Sequence, residues 1–415
     1  MTELVPLRRN RDFMLFQTGQ LLSAVGTAVA SLAYPLLTLQ LTHSPAKTGL
    51  VSFAQFLPVV LFALAAGVLA DRHDRKRLMI AADVGRVLAV GSLVVAIATH
   101  RLTYPHILLV AFIEGTGGVL FGAGRSGVFK SVVPAQQFAT AASLEEGRMS
   151  VVRLAGPSLG GVLYGVGRVV PFVADLASYA FSTVSLLLMR TPFQEQRERT
   201  ETHAVAEAIE GLRFVWHNAF LRLTTLMLML GNISAAGVQL AIVVLAKQHG
   251  LSSAAIGGLV ALVGAATLVG ATASTLIRRV LTPRVILLSE FWAVLALVSF
   301  LIWPSVYVLA GAFAFQAFFF ANTDAALRTY WYSVTPDRLI GRVPSAMGNV
   351  MVLALPLGPL LAGLLIEHWS ARAAIAIFVS LVLVAAVAGT LSRSTREVPV
   401  PDDAATPSAS PVEAG

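Results

Sequence analysis

Glu114 and Arg153 lie deep inside long apolar stretches of this 415-residue chain, where a charge is costly and therefore informative. Glu114 stands about ten residues, roughly 15 Å, from the nearer end of its stretch, and Arg153 lies at similar depth on the next, antiparallel one. Such a pair is either a fixed structural contact or one that a proton or a bound molecule breaks, and the second is the chemistry of proton coupling. Asp175 and Glu290 fall near helix ends that water reaches and are alternative carriers. Asp324 precedes Arg328 by four residues, the spacing of a simple helical ion pair, and is a further alternative.

Uncharged polar residues form stripes on the same stretches. Gln17, Gln20, Thr27, Ser31, Tyr34 and Thr38 fall within a helical sector of about 100°. Thr225, Asn232 and Gln239 repeat the pattern further on, as do Gln316, Phe320, Thr323 and Tyr330. A stripe of this kind faces water or a substrate, or bonds to a neighbouring helix. Its mixture of amide, hydroxyl and aromatic groups suits amphipathic organic molecules better than sugars or phosphate.

These residues must be positioned by membrane helices. The chain is 56% hydrophobic and only 13% charged, and stretches of about 20 apolar residues recur along it. Twelve spans are expected, at 13–41, 46–70, 78–99, 105–129, 142–167, 170–190, 221–246, 252–277, 284–303, 305–329, 345–367 and 372–391. Of the 30 Lys and Arg, 23 fall on the side of the termini, five on the other (Lys47, Arg101, Arg168, Lys247 and Arg372), and Arg86 and Arg153 lie within spans. The positive-inside rule therefore puts both termini in the cytoplasm of a multi-pass plasma-membrane protein. It also accounts for the net charge of +8 without a nucleic-acid partner.

The longest polar interruption, 191–219, separates an expected six-helix half at 1–190 from another at 220–392. Within it Val205, Ile209, Leu212 and Trp216 recur at helical spacing, as in an amphipathic helix on the cytoplasmic lipid surface. A Pro/Ala/Ser-rich tail, within 393–415, is expected to be disordered. The halves resemble each other. Pro134 precedes Gly156-Pro157 by 22 residues, and Pro336 precedes Gly358-Pro359 by 22. An offset of 202 also pairs Gly161 with Gly363, and one of 203 pairs Gly67 with Gly270. Two parallel repeats place a substrate site at mid-membrane between halves that rock.

None of Lys47, Lys76, Lys130 and Lys247 follows a glycine, so no Walker A loop is present, and no His-Glu-x-x-His or comparable set supports catalysis. There is no cysteine, which removes thiolate metal sites, and no metal or cofactor is implied.

Gly67-Val-Leu-Ala-Asp71-Arg72-His73-Asp74-Arg75-Lys76-Arg77-Leu78 resembles motif A of the major facilitator superfamily, with Asp74 at the family's second glycine. Gly67 is expected to permit close helix approach, Asp71 to cap a helix or pair with a cation, and the basic run to anchor the loop. Asp83 and Arg86 are expected to join this inner gate. Gly156-Pro157-Ser158-Leu159-Gly160-Gly161-Val162-Leu163 looks like motif C, found in the family's exporters. Motif B of proton-driven exporters lacks its arginine here, reading Ala111-Phe-Ile-Glu114-Gly115. Arg125 with Pro134, the stretch from Asp175 to Ser178, and Glu210-Gly-Leu-Arg213-Phe are similar to the branch holding macrolide and enterobactin exporters. The resemblance implies an all-α major facilitator fold whose cavity is lined by spans one, four, seven and ten. It implies a monomeric proton antiporter in the lipid bilayer that expels small organic molecules, including drugs, with uptake or lipid flipping as the alternative.

Overall fold

The computed structural model describes residues 7–191, 193, 204–339 and 341–396, so the tail from 397 onward and most of the stretch before 204 lie outside the described residues. Helices dominate, and no strand occurs among the described residues. In chain order they are α1 (Arg11–Thr42), α2 (Pro45–Arg72), α3 (Arg75–Ala98), α4 (Tyr104–Val132), α5 (Phe138–Val166), α6 (Val170–Leu188) and α7 (Ala204–His217). Then follow α8 (Ala219–Gln248), α9 (Ser253–Val280), α10 (Pro283–Ala293), α11 (Val298–Ile302), α12 (Val306–Val334), α13 (Arg342–Leu353), α14 (Leu357–His368) and α15 (Ala371–Leu391).

The caps explain where many of them start. The side chains of Asn10, Ser44, Asp74, Asn218, Ser252 and Ser370 each accept a first-turn backbone N–H, which the helix itself leaves unpaired. Among the described residues, eleven helical segments are long and apolar enough to cross a bilayer. The twelfth span is α5, which carries Glu145, Glu146, Arg148 and Arg153. The twelve-span membrane fold is thus as expected, with two spans interrupted. The ninth contains a 3-10 turn at Val294–Leu297 between α10 and α11. The eleventh breaks between α13 and α14, where Pro356 has no N–H to continue the ladder and Leu355 and Leu357 fall back on carbonyls three residues earlier.

On α7, Ile209, Leu212 and Trp216 are exposed as an interfacial helix requires, while Gly211 packs against the Arg342 carbonyl and Ala346 of α13. Glu210 anchors it by accepting from Arg342 at 2.5 Å.

Two seams join the first six spans to the last six at the face of the bundle opposite the termini. In one, α5 meets α9: a Cβ on Gly161 would stand 2.3 Å from the Ser253 carbonyl oxygen, and one on Gly257 2.6 Å from that of Pro157. In the other, α14 meets α2: a Cβ on Gly363 would stand 2.4 Å from the Pro45 oxygen, and one on Gly49 2.4 Å from that of Pro359. The repeat seen in the sequence is thus built as two matching glycine contacts, each closing only because no side chain intervenes. Gly156 and Gly160 seat the other side of α5 on Ala28 and Val29 of α1, and Gly358 seats α14 on Ile233 and Ala236 of α8.

Candidate functional site

Glu114 is where three helices converge. Tyr34 of α1 donates to its Oε2 at 2.6 Å, and Tyr179 of α6 donates to its Oε1 at 3.0 Å. Tyr179 has one hydroxyl proton, so Thr27 Oγ1, 2.9 Å away, must donate to the Tyr179 oxygen. Glu114, Tyr34 and Tyr179 are all buried.

Arg86 of α3 completes the cluster. Its guanidinium carbon lies 4.9 Å from the Tyr179 ring centroid and 5.5 Å from that of Phe121, and Nη1 lies 3.3 Å from Asp83 Oδ1. Gly117 and Gly118, one turn beyond Glu114 on α4, make its seat: a Cβ on Gly117 would meet the Arg86 side chain at 2.7 Å. The charge of Arg86 acts on both Glu114 and Asp175. Asp175 is fully buried one turn before Tyr179, with the Ser178 and Tyr179 hydroxyls beside its carboxylate. Gly26 lets α1 come this close, since a Cβ there would stand 2.9 Å from Asp175 Oδ1. Three carboxyl groups and one guanidinium therefore share one water-poor pocket of the first six spans.

The cluster departs from the sequence reading in several ways. Arg86 and Asp83 turn away from the motif A loop, Arg86 toward Glu114 and Asp175, while the side chains of Arg153, Asp324, Arg328 and Tyr330 lie outside the described residues. Asp175 and Glu290 are buried and do not sit at water-reached helix ends. Thr27 and Tyr34, expected at a substrate cavity, are engaged by Tyr179 and Glu114. Tyr179 itself was missed. Its signal was available, because Asp175, Ser178, Tyr179, Ser182 and Ser185 form a polar stripe on α6 as regular as that on α1, and all five are buried.

In the motif A loop, Arg75 pairs with Asp71 at 3.0 Å and Lys76 donates to the Met189 carbonyl at 2.7 Å, while Arg72 is exposed. Asp74, with φ −60°, caps α3 by accepting from Arg77, so the loop needs no left-handed residue where the family has glycine. Gly67 has nothing within 4 Å of its Cβ position, and the close approach of α2 to α4 is made by Gly115, against the Gln55 carbonyl oxygen. On the terminal side of α4 and α5, Glu145 bridges Arg125 and Arg148.

Of the other expected cavity residues, Gln20, Gln316 and Thr323 are buried, with Thr323 donating to the Ile286 carbonyl; Gln17 and Asn232 are half-buried; Gln239 and Phe320 are exposed. Gln239 is the single exposed residue within 237–246 of α8, and Ser31 the single one within 29–39 of α1. These are inner helices, more buried than α2 and α9. Among the described residues no group of three or more His, Asp or Glu is placed to hold a metal.

Residues 1–412 match the model of a family described as transmembrane secretion effector. The macrolide efflux protein A of Streptococcus pyogenes is 24% identical over 382 residues, covering 86% of this chain and 91% of that one. The multidrug efflux pump Tap of Mycolicibacterium fortuitum is 24% identical over 371 residues, covering 84% and 88%. Among solved structures, a bacterial homologue of the iron transporter ferroportin in an inward-facing state superposes with a TM-score of 0.72 at 16% identity over 93% of this chain and 99% of that one. A bacterial homologue of the lysosomal transporter Spinster, inward-facing and unoccupied, gives 0.70 at 16% identity over 95% and 98%.

Proposed function

Because the chain belongs to the transmembrane secretion effector family of major facilitator transporters, we propose that it expels small amphipathic organic molecules in exchange for protons, by alternating access, with its termini in the cytoplasm. The efflux roles named for its relatives from Streptococcus and Mycolicibacterium support export. The Glu114 cluster supports the choice of ion. A buried set with three acids and one base is costly unless protons or another cation balance it, and its members lie on α1, α3, α4 and α6, so a relative shift of these helices changes that balance.

Ser31 and Gln239 are the proposed substrate contacts. On inner helices an exposed side chain faces an internal space rather than lipid, and the residues beyond both toward the far face, 32–39 and 240–246, are buried without exception. The two then form the roof of a cavity open to the cytoplasm. The Ser31 hydroxyl, whose proton goes to the Ala28 carbonyl at 2.8 Å, accepts from a substrate hydroxyl, and the Gln239 amide donates to a substrate carbonyl or accepts from a hydroxyl. Ser31 sits between Thr27 and Tyr34, four residues before it and three after, so a substrate pressing on this turn of α1 acts on both α1 partners of the Glu114 network. Two parallel six-helix halves, 1–190 and 220–392, joined by 191–219, would rock about this centre.

The test is Glu114→Gln in proteoliposomes. Substrate-driven proton movement is expected to vanish while downhill substrate exchange persists. Uphill accumulation of substrate under an imposed pH difference by the Glu114→Gln protein would refute the assignment.

A further inference from the structure

The two glycine seams match in backbone but not in what holds them. At the far end of the α2 seam, Glu367 of α14 reaches across to the start of α2: its Oε2 accepts from the backbone N–H of Ala46 at 2.8 Å and from the hydroxyl of Ser44. Ser44 has one proton, given to Glu367, and its lone pair accepts from the Lys47 N–H at 3.1 Å, while the Thr48 N–H bonds the Ser44 carbonyl at 3.1 Å. Pro45 has no N–H to satisfy. The first turn of α2 is thus capped completely, and one of its caps comes from a residue 321 positions away in the other half.

The sequence offset that pairs Gly161 with Gly363 pairs Glu367 with Gly165, and the offset of 208 that pairs Pro45 with Ser253 pairs Ser44 with Ser252. Ser252 caps α9 locally, accepting from the Ala255 N–H at 3.2 Å. Gly165 offers no side chain, and its Cβ position is in open space. One seam is therefore latched by a carboxylate, whereas among the described residues the other is held by packing.

We infer that Glu367 is a gating residue that holds the far face shut across the α2–α14 seam and sets how readily that face opens in the transport cycle. An anionic acceptor at a helix start is favoured by both the hydrogen bonds and the aligned peptide dipoles, and it is lost when α14 parts from α2. Packing contacts of the glycine seams can break and re-form without leaving an orphaned donor, whereas release of Glu367 leaves the Ala46 N–H to water. The latch needs neither protons nor an identified substrate, so it stands apart from the coupling reading.

The chain has no cysteine, so a single reporter is clean. Ser52→Cys lies one turn along α2 from Gly49, which packs against Pro359 and Gly363 of α14, and a membrane-impermeant maleimide applied to each side of the membrane in turn reads opening at the far face. Replacing Glu367 by Ala in that background is expected to raise far-side labelling roughly tenfold, the size of one lost charge-assisted bond. Glu367→Gln, which keeps an acceptor without the charge, should raise it less, and Gly165→Glu should lower it by capping α9 in the same way. Unchanged far-side labelling in the Glu367→Ala protein overturns the inference. So does a fall in melting temperature shared by the Ala and Gln variants without any change in labelling, which would mark Glu367 as merely structural.

Discussion

The first six spans and the last six share an architecture and differ in chemistry. Helices α4 and α12 begin and end 202 residues apart, and by that offset Glu114 corresponds to Gln316. The tyrosine on α1 that bonds Glu114 corresponds, at the offset of 208, to Ile242 on α8. The last span, α15, has no carboxylate and no tyrosine, whereas α6 brings Asp175 and Tyr179 to the cluster. The seams, in contrast, are preserved in both halves. The duplicated parts are the glycine contacts at which the two sets of spans meet, and the diverged parts are the charged groups, the Glu114 cluster and the Glu367 cap among them.

Arg86→Met should have the largest effect. It removes the guanidinium that faces Asp83, Glu114 and Asp175 and leaves buried acids without their cation, a change that costs about 3–5 kcal/mol in comparable buried pairs. A large fall in melting temperature and loss of transport are expected, measured on protein purified in detergent and reconstituted in vesicles. Stability equal to the parent would mean that the carboxyl groups are already neutral without Arg86. A sharper use of the comparison is Gln316→Glu in the Glu114→Gln background. It moves the acid to the matching place in the other half, where the tyrosine donors are missing, and proton-coupled transport should stay absent. Recovery of coupling would show that the surroundings of Glu114 matter less than depth alone.

Much of the scaffold was legible in the sequence, because span length, charge asymmetry and the glycine and proline spacings are local signals that the bilayer amplifies. Gly156, Pro157, Gly161, Gly358, Pro359 and Gly363 were visible before any helix was placed, although that α5 would meet α9 and α14 meet α2 was not. The cluster was half legible. Glu114 stands out because an acid deep in an apolar stretch has few reasons to be there. Its partners do not, since the distance from Tyr34 to Glu114 is 80 residues and from Tyr179 to Glu114 is 65. Nearness in sequence suggests the motif A loop for Arg86, whereas the rotation of α3 points it at Gly117 and Gly118. Gly67 and Gly270 match in the repeat, yet only Gly270 makes a close contact, against the Phe318 carbonyl oxygen.

The smallest change that still probes the asymmetry is removal of a single hydroxyl. Tyr34→Phe deletes one donor to Glu114 and leaves the ring in contact with Phe172, whose centroid is 5.1 Å away. If Glu114 is ionised in the resting protein, that bond contributes about 1.5–3 kcal/mol; if it is neutral, about 0.5–1.5 kcal/mol. Tyr179→Phe deletes the other donor and also leaves Thr27 without its acceptor, so its cost should exceed that of Tyr34→Phe, although the ring beneath Arg86 is kept. Because both hydroxyls serve one carboxylate, the two losses should not add. A double-mutant cycle on melting free energies is expected to give a coupling of about 0.5 kcal/mol or more. The same cycle repeated in the Glu114→Gln background should lose most of that coupling, because an amide offers only one acceptor oxygen for two donors. Strict additivity in the parent protein would mean that Tyr34 and Tyr179 act on separate groups, and the link from the α1 stripe to the α6 stripe through Glu114 would have to be abandoned.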